Sequence, residues 1–257
     1  MVPMGKLDST TAIVTGGATG IGRHYSAALA REGASVAIVD LAGSDAAATE
    51  INSSLDREMC FAISADVSVE SAVKAAVSMV LEKTGRIDVL VNNAAIYSAL
   101  PPVGFVDIDV VLWDKVMAVN LRGPFLMAKH AVPTMIARKY GKIINISSGT
   151  AYKGMPSMLH YVTSKGGVLA FTRALSREVG AHNICVNTLA PGLIRTEGVH
   201  ANSDRTAVVR ERVIQSRALQ REGYPADLLG ALVFLACADS DFITGQTIVV
   251  DGGSVNT

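Results

Sequence analysis

Short, uniformly apolar runs alternate along this chain with longer stretches in which apolar residues recur every three or four positions. The runs at 11–15 (TAIVT), 35–40 (SVAIVD), 60–64 (CFAIS), 87–92 (IDVLVN), 142–147 (KIINIS), 183–189 (NICVNTL) and 247–250 (TIVV) predict strands buried on both faces. The periodic stretches predict helices over 20–31, 44–57, 109–138, 160–179 and 225–236, and another running from an N-cap at Ser68 to about residue 83. Pro225 suits a first helical turn, whereas Gly123-Pro124 and Pro133 predict disturbances within the long fourth-crossover helix. Strands separated by helices imply a mostly parallel seven-stranded sheet covered on both faces, a doubly wound α/β architecture. No linker, repeat or low-complexity tract divides the sequence, so one domain over 1–257 is expected.

Ligands in such folds bind beyond the carboxyl ends of the strands. Those ends carry Gly16, Asp40, Asp66, Asn92, Ser148 and Pro191. After the first strand, Thr15-Gly16-Gly17-Ala18-Thr19-Gly20-Ile21-Gly22 spaces three glycines as G-x-x-x-G-x-G. Such a loop turns tightly, lets the backbone approach a pyrophosphate and aims a helix N-terminus at the anion. A P-loop is excluded, because Arg23-His24 follows Gly22 where Lys-Ser/Thr would be needed. Asp40 ends the second strand, where a carboxylate accepts from both hydroxyls of an adenosine ribose and repels a 2′-phosphate. With no Lys or Arg in the loop before Arg23, the expected cofactor is NAD and not NADP. Asp66-Val67 can sit at the adenine edge, or Asp66 can simply cap a helix.

Tyr161 and Lys165 lie four apart on a predicted helix and so share a face. A free phenol is a poor base at neutral pH, but a neighbouring ammonium favours the phenolate. Tyr161 is thus expected to have a lowered pKa, to accept a proton from an alcohol and, in reverse, to donate one to a carbonyl. Ser148 precedes it by 13 residues, at the end of the fifth strand, where a hydroxyl can fix the reacting oxygen.

Composition narrows the field further. Lys plus Arg and Asp plus Glu are both 23, which argues against nucleic-acid or anionic-membrane binding. Hydrophobic residues make up 49% and charged ones 18%, which excludes a disordered chain. No apolar run reaches 18 residues, so no transmembrane helix is expected, and 1–10 has no signal-peptide core. Cys60, Cys185 and Cys237 stand far apart in apolar runs and read as core residues in a reducing, cytoplasmic setting. The five histidines show no paired metal-ligand spacing, and no G-x-S-x-G elbow is present. His160 reads as a helix N-terminal surface residue or one at the pocket rim.

Taken together, TGGATGIG (15–22), Asp40, Asp66-Val67, NNAA (92–95), Asn120, INISSGTAY (144–152), YVTSK (161–165), APGLIRT (190–196) and GQTIVVDGG (245–253) make the chain resemble the short-chain dehydrogenase/reductase family, of Rossmann type. The resemblance runs from about residue 8 to residue 253. It implies that Tyr161 is the acid/base, that Lys165 lowers its pKa and binds ribose, and that Ser148 orients the substrate oxygen. Asn120 would hold a water that relays protons outward from Lys165. Gly16, Thr19, Gly20, Ile21 and Gly22 would line the pyrophosphate, and Asn93 and Ala94 contact adenosine or support the sheet. Pro191, Gly192, Ile194 and Thr196 would lie at the nicotinamide amide. Ala95 departs from the family's usual glycine, and its methyl narrows the cofactor groove slightly.

The resemblance also places substrate near 149–159 and under a polar lid at about 193–215, with Tyr97, Tyr152 and Met155 as wall residues. It implies a homotetramer or homodimer built through the fourth- and fifth-crossover helices and the last strand. The expected activity is NAD-dependent interconversion of a secondary alcohol and a ketone. A 3-oxoacyl-thioester reductase, more often NADP-dependent, and a sugar 1-dehydrogenase are the alternatives. A non-catalytic dinucleotide sensor would be expected to lose Ser148, Tyr161 or Lys165, and all three are present.

Overall fold

The computed structural model describes residues 5–196 and 205–255. Seven strands, β1 (Thr11–Thr15), β2 (Ser35–Asp40), β3 (Cys60–Ser64), β4 (Val89–Asn92), β5 (Gly141–Ile146), β6 (Ile184–Pro191) and β7 (Thr247–Val250), form one sheet in the order 3-2-1-4-5-6-7. Every pairing is parallel. The chain moves outward in one direction from β1 and in the other from β4, which opens a crevice at their carboxyl ends.

Alternate strand residues face opposite helical layers. Ala12, Val14, Val36, Ile38 and Ile144 pack with α1 (Gly20–Arg31), α2 (Ser44–Leu55) and α9 (Ala226–Ala236). Ile13, Ala37, Val39, Leu90 and Ile143 pack with α3 (Glu70–Thr84), α5 (Gly123–Arg138) and α7 (Leu159–Val179). No described helix is long and apolar enough to cross a membrane.

Three departures from the sequence reading have physical causes. The helix α3 starts at Glu70 with Val69 as N-cap, because Asp66 Oδ1 accepts from both the N–H (2.8 Å) and the hydroxyl (2.7 Å) of Ser68 and so uses up the expected cap. The helix expected over 109–138 is instead α4 (Val110–Met117), a π-helical turn at Ala118–Arg122, and α5. Pro124 has no N–H to offer the carbonyl of Asn120, four residues back, and its ring crowds that oxygen, so the wider turn forms just ahead of it. Pro133 is accommodated within α5. Finally, α6 (Thr150–Lys153) and α8 (Arg205–Gln215) lie in segments read as loop and lid. One is a single turn, and the other is rich in charge.

The π turn brings Asn120 inward, where it is 1% exposed. Its Oδ1 accepts from Ile96 N–H at 2.7 Å, and its Nδ2 donates to Ile96 C=O at 3.2 Å and to the Ser164 hydroxyl at 3.1 Å. Asn120→Ala strands these partners and is expected to cost about 1–3 kcal/mol in chemical denaturation. A stability equal to the parent's contradicts this reading.

Candidate active site

The crevice is built first from backbone. Gly16 adopts φ +60°, in the left-handed region, and donates its N–H to Val39 C=O at 2.8 Å. Gly22 packs so closely on this turn that a Cβ there would stand 2.0 Å from the Gly16 carbonyl oxygen. The loop is stitched to β4 through Thr15, whose Oγ1 accepts the N–H groups of Asn93 (3.0 Å) and Ala94 (3.1 Å). Asn93 returns its Nδ2 to the carbonyls of Thr15 (3.0 Å) and Gly16 (2.9 Å). Of its two expected roles, supporting the sheet is the one these bonds display.

Thr19, the N-cap of α1, makes no side-chain cap bond, and the first turn holds no acidic residue. No heavy atom of the described residues lies within 4 Å of a Cβ position at Gly20. Open space in front of uncapped helix amides fits a pyrophosphate. Asp40 Oδ2 accepts from Ala18 N–H (3.1 Å) and Oδ1 from Leu41 N–H (2.8 Å), which leaves each oxygen with acceptor capacity for a ribose hydroxyl. These residues fit an adenine dinucleotide. Ile21 is half-buried and packs on the core beneath the loop. Val67 does not point its side chain into the crevice: it is buried against α5, 3.0 Å from where a Cβ on Gly123 would be.

At the other end of the crevice, Pro191 C=O accepts Gly149 N–H at 2.9 Å, and Gly192 N–H donates to Val250 C=O at 3.0 Å. Ile194 is buried and bridges to Gly223, and Thr196 is half-buried. Of the lid expected at 193–215, residues 197–204 lie outside the described residues, and 205–215 belong to α8. Arg217 was not anticipated. It is buried, and its guanidinium donates to Leu193 C=O and Arg221 C=O, both at 2.6 Å, holding the exit of β6 in place.

The reactive side chains converge where β5 meets α7. Lys165 is 3% exposed and donates from Nζ to Ile146 C=O at 2.8 Å. Burial lowers its pKa to about 8. Its Nζ stands 5.9 Å from the centroid of the Tyr161 ring. Ser147 Oγ donates to Lys165 C=O at 2.8 Å, and Ser164 Oγ to Tyr161 C=O at 2.7 Å, so neighbouring hydroxyls fix the backbone of both residues. Ser148 Oγ accepts from Thr150 N–H (3.2 Å) and Thr150 Oγ1 (3.0 Å). With its lone pairs engaged by Thr150, the Ser148 hydroxyl has its proton to donate, and the Tyr161 phenol oxygen is within its reach. Thr150 is a residue that sequence reasoning missed. A Thr two positions after a Ser at a strand end was the available signal.

The expectation that Lys165 lowers the Tyr161 pKa is corrected. Burial raises it, the neighbouring Tyr97 adds to the rise, and hydrogen bonding with Ser148 only partly opposes them. The Tyr97 and Tyr161 rings pack tilted at 41° with centroids 4.8 Å apart. Leu100, Val116 and Met158 complete a buried cluster with Tyr161, and Ile96, Leu112, Met155 and Val162 pack against it. Tyr152 is half-buried in α6, outside this cluster. His160 is fully buried and not on the surface, which corrects the sequence reading. All three cysteines are free and buried, and no group of His, Cys, Asp or Glu that could hold a metal occurs among the described residues.

A family model described as enoyl-(acyl carrier protein) reductase matches residues 16–255. The chain is 37% identical over 252 residues to the 3-oxoacyl-[acyl-carrier-protein] reductase FabG of Chlamydia trachomatis, covering 97% of this chain and 98% of that one. It is 38% identical over 252 residues to a short-chain dehydrogenase/reductase of Armillaria gallica, covering 95% of each. The crystal structure of levodione reductase superposes with a TM-score of 0.90 at 28% identity, covering 96% of this chain and 97% of that one.

The depressed Lys165 value carries a testable linkage. Its folded value of about 8 lies below the ordinary 10.5, so the unfolded chain holds more protons across that window. The contribution of Lys165 to stability therefore rises as pH rises from about 8 to 10.5. Lys165→Met is expected to be more stable than the parent at pH 7, by on the order of 3 kcal/mol, with the gap shrinking through that window. A gap independent of pH in urea denaturation contradicts the assignment.

Proposed function

Within the short-chain dehydrogenase/reductase family, to which this chain belongs, we propose that the protein interconverts a secondary alcohol and a ketone using NAD(H), with Tyr161 moving the proton. Membership makes it an oxidoreductase that binds a nicotinamide dinucleotide. One observation carries the finer reading: Tyr161, Ser148 and Lys165 meet at the carboxyl end of β5.

When bound, the dinucleotide supplies the carbon that gives or takes hydride and, in its oxidised form, a positive charge. The protein's own residues do the remainder. Asp40 would accept hydroxyls of the ribose and disfavour a 2′-phosphate, and the amides of Thr19, Gly20, Ile21 and Gly22 would hold the pyrophosphate. Ser148 presents its hydroxyl proton to the substrate oxygen. Tyr161, held as the neutral phenol by burial, donates its proton to a ketone oxygen as that oxygen becomes an alcohol. Lys165 keeps two N–H donors beyond its bond to Ile146, available to a ribose hydroxyl and to the phenol oxygen. Because the side-chain amide of Asn120 is committed, its main-chain carbonyl, which Pro124 cannot cap, is the group we assign to the relay water.

The apolar and aromatic wall of Tyr97, Leu100, Met155 and Met158 favours a compact ketone. A 3-oxoacyl-thioester substrate is the second reading, supported by the family model and by the FabG relative. It uses the same step. Phe105 and Val106, in the turn before α4, and Val110 and Val111, which open it, are 71–76% exposed, support self-association and fit the proposed homotetramer. A cytoplasmic setting remains part of the proposal and is supported by the free, buried cysteines.

Tyr161→Phe is expected to lose about 10²–10⁴ in kcat while NADH binding, read by fluorescence titration, persists. Near-parental turnover contradicts the role. A neutral phenol suits reduction, so ketone reduction is expected to run at neutral pH and alcohol oxidation to gain towards alkaline pH. Asp40→Ala is expected to relax the preference for NADH over NADPH. A parent that already turns over NADPH faster overturns the cofactor assignment.

A further inference from the structure

The helix that carries Tyr161 and Lys165 begins at Leu159, and its N-cap, Met158, has no side-chain acceptor to offer the first amides. One of those amides nevertheless has a partner, since Tyr161 N–H donates to His160 Nδ1 at 3.0 Å. The imidazole is 0% exposed. It stands on the buried row His160, Ser164, Val168, Thr172 and Ser176 of α7, one turn before the Ser164 that meets Asn120.

A neutral ring accepting at Nδ1 carries its proton on Nε2, and that N–H is buried with no partner among the described residues. An unpaired buried donor is a cost that an apolar side chain of the same size would avoid. What the imidazole adds at this place is a single acceptor, and it goes to the amide of Tyr161.

We infer that His160 is a positioning residue for the reaction: by capping the first turn of α7 at Tyr161, it fixes the direction in which that phenol points. The inference rests on the reading of Tyr161 as the proton-transfer group. It differs from a packing role, because packing needs the volume of the ring and not its lone pair. It also differs from a surface or rim role, because the ring is fully enclosed.

The test compares His160→Leu, which fills space without an acceptor, with His160→Asn, whose amide oxygen can accept the same N–H. Each is assayed for kcat, ketone KM, NADH dissociation constant and thermal midpoint, alongside Tyr161→Phe. The expected result is a roughly ten- to a hundredfold fall in kcat for His160→Leu, from a phenol displaced by a fraction of an ångström to about an ångström. NADH affinity stays at the parental value, and most of the kcat returns in His160→Asn. Should His160→Leu not fold, His160→Met is read in its place.

Parental kcat in the leucine or methionine variant overturns the inference. So does a joint loss of kcat, NADH affinity and thermal midpoint, or failure of both apolar variants to fold while asparagine folds, since either outcome makes His160 a residue of the fold alone. If Tyr161→Phe itself retains turnover, the failure belongs to the proposed function and not to the capping.

Discussion

The candidate site depends on one buried contact, the ammonium of Lys165 donating to the carbonyl of Ile146 at the end of β5. It ties α7 to the sheet at the point where the crevice opens. A long, flexible, charged side chain becomes a fixed post, and burial moves its titration down to about 8. Tyr161, one turn earlier on the same helix, is placed by that post. Ser147 and Ser164 then hold the backbone of Lys165 and Tyr161 from either side. Remove the ammonium and α7 keeps its apolar packing and the Asn145–Thr172 hydrogen bond to β5 but loses the tie at the mouth of the crevice.

That contact also ties the Tyr161 end of the crevice to the glycine-loop end. The strand carrying Ile146 lies beside β4, whose end is stitched through Asn93 and Thr15 to the glycine loop. Pro124 contributes from further away: by spoiling one helical turn it turns Asn120 inward, to clasp Ile96 and Ser164 together. Dinucleotide cradle and reactive trio are thus parts of one hydrogen-bonded frame at a single edge of the sheet.

Much of this was legible in the sequence, because it depends on local rules. The seven strands were readable since each is apolar on both faces, and a sheet covered by two helical layers leaves little choice of pattern. The glycine loop, Asp40, Ser148, Tyr161 and Lys165 were legible from their spacing relative to strand ends. What was hidden depends on three-dimensional surroundings. The direction of the Tyr161 shift follows from burial, which periodicity does not measure. His160 looked like a surface residue at a helix start, yet the helix sets it in the same buried row as Ser164. Thr150 and Arg217 act on groups made accessible only by folding, Ser148 Oγ and the carbonyl of Leu193. The single turn α6 is too short to show a period, and the charge of α8 gave it the look of a polar lid.

The most direct measurement is an NMR titration of Tyr161 labelled with carbon-13 at the phenol carbon, without cofactor and with NAD bound. The account requires ionisation above the ordinary tyrosine range in the free protein, and a fall when the oxidised dinucleotide binds. A Tyr161 that ionises below that range in the free protein would contradict burial as the dominant influence on this phenol, and one indifferent to NAD would contradict its place beside the nicotinamide.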